Sequence, residues 1–265
     1  MRAYKIALSA ALILLISWAA PAAVAKKGEK KRIKSDQYET QGRQLLDERR
    51  YTEAWQYESE ALKLNPANPL AYLDRGWALW YLNRTKDALL DFTSAIKYDP
   101  SSQPAYAARA MVYRKLGNTK NMTADRIKSA QLLAAPLRAK HVAELSQINR
   151  DIQNHNGDEV FLIRRAQKYF EMADFSQAVK DATAAIAMNR YNEDAYDVRG
   201  RAYDILGQTD GYARDNAEYK KLCGKDIYAK WADKGASSSW EDIVHDQAKR
   251  KTGQSPLEEQ GWKVP

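Results

Sequence analysis

Four arginines stand at matching places in the chain. Arg75 and Arg109 lie 34 residues apart, and so do Arg165 and Arg199. A row of guanidinium groups can grip phosphate or carboxylate through paired N–H donors. Sixteen residues after each arginine, however, stands an aspartate: Asp91, Asp125, Asp181 and Asp215. Charges taken out of water are normally paired, so the recurring partner reads as an internal bridge in each unit and not as an anion site. Other chemistry is scarce. His141, His155 and His245 are scattered, with no carboxylate or cysteine at ligand spacing, so no metal site is predicted. Cys223 is the single cysteine, which excludes an intramolecular disulfide. The chain has no Gly-x-Ser-x-Gly elbow, no phosphate loop and no His-Glu-x-x-His. The sequence therefore predicts no catalytic residue, no cofactor and no enzyme.

The elements that hold these charges announce themselves by period. Tyr38 and Tyr72, Gly42 and Gly76, Ala54 and Ala88, Ala61 and Ala95, Pro66 and Pro100 are each 34 residues apart. A third unit begins at Gln103, with Tyr106, Ala110 and Tyr113 in register. A fourth begins near Glu159 with Leu162, Ala166, Tyr169, Ala178 and Ala185, and a fifth at Glu193 with Tyr196, Gly200, Tyr203 and Gly207. Small residues at the eighth and twentieth positions let two helices approach closely, and Pro66 and Pro100 lack the N–H that would continue the second one. Helix pairs of this size bury their apolar faces only by stacking. Period and landmarks together resemble the tetratricopeptide repeat, over about residues 35–135 and 159–225.

The resemblance implies an all-α solenoid of helical hairpins, one antiparallel pair per repeat, with a concave groove lined by the first helices. About five repeats are expected in two stacks, 35–136 and 159–225. A helical connector, 137–158, joins them, with its helix from about Arg138 to Gln153. The division rests on repeats three and five, whose second helices carry Met122 and Arg126, or Tyr212 and Asn216, where repeat two has Ala88 and Phe92. Terminal repeats are commonly atypical because one side faces solvent.

The helix read from the stretch at residues 74–92 is apolar on two faces. Tyr72, Gly76 and Leu79 line one side; Leu73, Trp77, Trp80 and Tyr81 line another. A surface helix normally buries a single stripe. In the family's geometry the second stripe faces the groove, where Met111 and Arg114 of repeat three and Phe170 of repeat four join it. The groove is thus predicted to be aromatic at its middle, and large aromatic side chains with a polar rim are the usual make-up of a binding hot spot. The Lys and Asn set by which some members grip a terminal carboxylate is missing from these positions. A protein or peptide partner in the same compartment is expected there. Cover by the chain's own tail, which holds Trp231, Trp240 and Trp262, and cover by a second copy in a homo-oligomer stay open.

The ends set the compartment. Arg2 and Lys5 precede an apolar run that finishes in Ala23-Val24-Ala25, the order of a cleavable export signal over residues 1–25. The mature protein is expected to be periplasmic or secreted; an uncleaved segment would instead anchor it to the inner membrane. Residues 26–34 form a basic leader, read as disordered, and membrane contact is expected only through this leader or the signal segment. Of 42 basic and 34 acidic side chains, eight basic and one acidic lie before residue 35, which leaves 34 against 33. So neutral a body is not the footprint of a nucleic-acid binder. The tail, residues 226–265, leaves the repeat and offers a short helix after Ser239.

Overall fold

The computed structural model describes residues 28–155 and 157–229. The export signal and the helix expected after Ser239 lie outside the described residues. Every regular element among the described residues is helical: α1 (28–47), α2 (Tyr51–Leu64), α3 (Pro69–Tyr81), α4 (Thr85–Tyr98), α5 (Gln103–Lys115) and α6 (Thr119–Ala134). After a 3₁₀ turn, Ala135–Leu137, follow α7 (Arg138–Asn154), α8 (Glu159–Glu171), α9 (Phe175–Met188), α10 (Glu193–Ile205) and α11 (Thr209–Cys223). Among the described residues the fold is all-α and built of five tetratricopeptide-type hairpins: α1–α2, α3–α4, α5–α6, α8–α9 and α10–α11.

Local chemistry sets the boundaries. Asn68 Oδ1 accepts from the N–H groups of Leu70 and Ala71 at the start of α3, with Pro69 in the first turn. Asn118, Asp158, Asp174 and Asn192 cap α6, α8, α9 and α10 in the same way. The fifteenth residue of every repeat turns the chain between the two helices in the left-handed region: Arg49, Asn83, Gly117, Ala173 and Gly207 all have φ between 59 and 72°. Pro136 interrupts the ladder at the end of α6 and produces the 3₁₀ turn.

Two expectations are corrected. The leader is not disordered where it is described, because residues 28–34 are helical and run unbroken into α1. The compact units also divide elsewhere than expected, between Pro100 and Ser101 and not around the connector. The reason lies in α6, which packs on α10 and so belongs with repeats four and five. Helix α7 lies against α8, burying His141, Leu145 and Ile148, in the place a second helix would take ahead of repeat four.

Candidate functional site

In the first unit both faces of α3 are covered by side chains. Tyr72 stacks on Tyr98 of α4 with centroids 5.6 Å apart and rings 11° from parallel. Gly76 lets Phe92 rise until a methyl group there would stand 2.6 Å from Phe92 Cε1. On the other face Trp77 meets the same Phe92 edge-on at 5.5 Å, and is only 8% exposed. Trp77 is therefore a core residue of the hairpin, not the surface anchor that groove geometry assigned to it. Leu73 is buried as well and Trp80 half-buried. Tyr81 stacks on Tyr51 of α2 at 4.5 Å yet stays 43% exposed, and Leu70, at the other end of α3, is 46% exposed. The surface of this face is thus carried by its two ends.

Polar side chains of α1 are tied to α3. Arg43 donates from Nε and Nη2 to Asp74 Oδ2 at 3.0 and 2.9 Å, and lies 2.5 Å from Glu39. Burial raises the Asp74 carboxyl above the ordinary carboxylate value, with Arg43 opposing the rise. In the second unit Met111 is half-buried and Arg114 exposed on α5. Phe170 is held within its own unit: edge-on to Phe175 at 5.2 Å, with the Arg201 guanidinium 4.6 Å from its ring centre. Arg201 is itself fixed by two bonds to Asp197, at 3.1 and 2.9 Å.

The arginine row consists of internal bridges in all four repeats. Nε and Nη2 of Arg75, Arg109, Arg165 and Arg199 reach both oxygens of Asp91, Asp125, Asp181 and Asp215 at 2.6–2.8 Å. A third donor looks backward. Nη1 of Arg75, Arg165 and Arg199 bonds Ser59, Asn149 and Thr183, each sixteen residues earlier. Each of these guanidinium groups thus pins three successive helices, and Asn149 brings α7 into the scheme. Among the described residues no three His, Cys, Asp or Glu side chains are placed to hold a metal ion.

Sequence reasoning missed what position 24 of each repeat does. It carries Glu58, Phe92, Arg126, Ala182 and Asn216, and in repeats one, two and four it lies on the small residue at position 8, namely Gly42, Gly76 and Ala166. Arg126 and Asn216 are not solvent-facing ends. Arg126 is 5% exposed and ion-paired with Asp204 at 2.6 Å. Asn216 Oδ1 accepts from Ile227 N–H at 2.8 Å, and its Nδ2 donates to Asp226. Ile227, fully buried, then fills the hollow over Gly200, where a methyl group would stand 2.5 Å from its Cδ1.

No protein-family model matches the chain. Among curated proteins it is 28% identical over 156 residues to a DnaJ homolog subfamily C member 7 homolog of Schizosaccharomyces pombe, a match covering 59% of this chain and 32% of that protein. The Dictyostelium discoideum protein of the same description is 32% identical over 107 residues, 38% of this chain and 20% of the other. The chain thus spans a third or less of the curated relatives it matches. Among solved structures it is similar to YrrB, described as a TPR protein with an unusual peptide-binding site, at 14% identity and TM-score 0.40, covering 79% of this chain and 97% of that one. It is likewise similar to MamA of Desulfovibrio magneticus RS-1, at 14% identity and TM-score 0.39 over 72% and 94% of the two chains.

Proposed function

We propose that this protein is an exported, non-catalytic scaffold that binds a partner protein or peptide through the aromatic face of α3. Tetratricopeptide-type hairpins are interaction architecture, and repeat stacks present extended surfaces for that use. The observation that supports the site is the pairing of Leu70 and Tyr81, two large apolar side chains open at either end of α3 over a floor made rigid by Trp77 and Phe92. Aromatic anchors that lose little freedom on contact are the residues that dominate binding energy. Export is supported by the charged start, apolar run and Ala-x-Ala of residues 1–25.

The test is a pull-down from the exported compartment with protein starting at Lys26, beside a Leu70→Ser/Tyr81→Ala variant of unchanged helical content. A partner held by the wild type and lost by the variant supports the reading; equal capture by both moves the site off α3. If the variant changes only its mass in light scattering, the face serves a second copy. N-terminal sequencing of the native protein tests the export step.

A further inference from the structure

Arg126 of α6 crosses to the end of α10, 78 residues on. Its Nη2 lies 2.6 Å from Asp204 Oδ2, and its Nη1 donates to the Asp204 carbonyl at 2.8 Å. Tyr228 donates to the same Oδ2 at 2.7 Å. Around this pair one stripe of α6 repeats every three or four residues: Thr119, Thr123, Arg126–Ile127, Ala130 and Ala134. Thr119 and Thr123 lie against Gly207, where an added methyl group would stand 2.5 Å from Thr123 Oγ1. Ile127, Ala130 and Ala134 join Phe170, Ala173, Phe175 and Ile205 in one apolar cluster. Ala173 and Gly207 are the turn residues of repeats four and five. Helix α6 therefore lies along a row of hairpin turns, as a ligand helix would.

We propose that this turn edge is a helix-binding surface which α6 occupies in cis. Its partner is an amphipathic helix with small residues at i, i+4, i+11 and i+15 and an arginine at i+7. The occupant already in place states the chemistry: small side chains admit close backbone approach beside Gly207, and one guanidinium answers Asp204. The same contact is built to exchange. From the α6 side it relies on threonines, alanines, one isoleucine and one arginine, set against Phe170, Phe175 and Ile205, and Asp204 remains 29% exposed to an incoming charge. Helix α6 stays paired with α5 through Arg109–Asp125 and Gln103–Ser129, while the segment that follows it toward α7, residues 135–140, is exposed throughout. This surface is separate from α3, and the inference stands without the binding reading given above.

The experiment uses a fluorescent peptide of residues 119–134 added in trans to the full chain. In the wild type the tethered α6 outcompetes it, because a linked helix acts at high effective concentration. Arg126→Glu sets a like charge against Asp204 and frees the edge. The peptide is then expected to bind at least about tenfold more tightly than to the wild type, and an added Asp204→Arg closes the edge again by restoring the pair in reverse. Arg126→Gln is the milder companion. A helical Arg126→Glu protein that ignores the peptide, or binding that Asp204→Arg leaves unchanged, overturns the proposal. Loss of helical content in both single variants also overturns it, since α6 would then be a fixed part of the core.

Discussion

Gly42 and the carboxyl group of Glu58 compete for one space: a methyl group on Gly42 would stand 2.2 Å from Glu58 Oε1. Neither oxygen of Glu58 has a hydrogen-bond partner, and the side chain is fully buried. Burial, then the nearby Asp74 and Glu39 charges, push its pKa far above the ordinary carboxylate value. The folded protein therefore keeps Glu58 as a neutral acid, at a cost that grows as pH rises.

The sign follows. A carboxyl group raised in the folded state contributes full stability below its unfolded value of 4.5 and loses it as pH climbs through neutrality. Glu58→Gln, which never ionises, is expected to be more stable than the wild type by about 1–3 kcal/mol at pH 8, with the gap closing toward pH 4.5. Thermal unfolding from pH 4.5 to 8.5 checks this; parallel curves for the two proteins would refute it.

Breaking one arginine bridge should cost more than building it gained. Arg199→Met strands the nearly buried Asp215 carboxylate and is expected to lose about 3 kcal/mol. Adding Asp215→Ala should recover a large part of that loss. Denaturant titration of the two single variants and the double variant gives the cycle, and a single-variant loss under about 0.5 kcal/mol would mean that water replaces the bridge.

Trp77 and Tyr81 should separate sharply. Trp77→Ala empties space against Phe92 and is expected to cost about 3–5 kcal/mol, whereas Tyr81→Ala removes a partly exposed stack worth about 1 kcal/mol. Similar losses for the two would place Trp77 at the surface after all. The contrast also makes Tyr81, and not Trp77, the clean probe of partner binding.

Ile227→Ala should destabilise the last repeat by about 2–4 kcal/mol, because Ile227 is the side chain that reaches deepest over Gly200, with Asp215 and Tyr212 standing farther off. Hydrogen exchange in α10 and α11 should rise, while α8 and α9 change little. Even acceleration across the whole second unit would show that the plug acts on the unit at large.

How far the sequence could be read depends on distance along the chain. The hairpins were legible because small residues and prolines recur in phase, and the arginine bridges because both partners recur sixteen residues apart. The backward bond to Ser59, Asn149 and Thr183 has the same spacing in the other direction. Counting both ways would have placed α7 in the stack. Applying the groove count to repeat five would likewise have found Asp197, Arg201 and Asp204. Trp77 misled because the glycine beside it lets Phe92 reach a side chain that the groove count turns outward. The Arg126–Asp204 pair has no period at all: nothing in 78 residues of spacing marks it, only that an arginine stands where repeat two has Phe92.

The segment over Gly200 bears on how many units such a chain can hold. Asn216 gives up the filling role at position 24 to bind residues 226–227, and Ile227 supplies the missing volume from beyond α11. A sixth unit spliced in after Cys223 would remove the filler and keep the polar side chain beneath it. Lengthening the array by duplication thus thins the packing over Gly200, leaving Tyr212 and Asp215 of the present neighbours there, unless residue 216 changes in the same step.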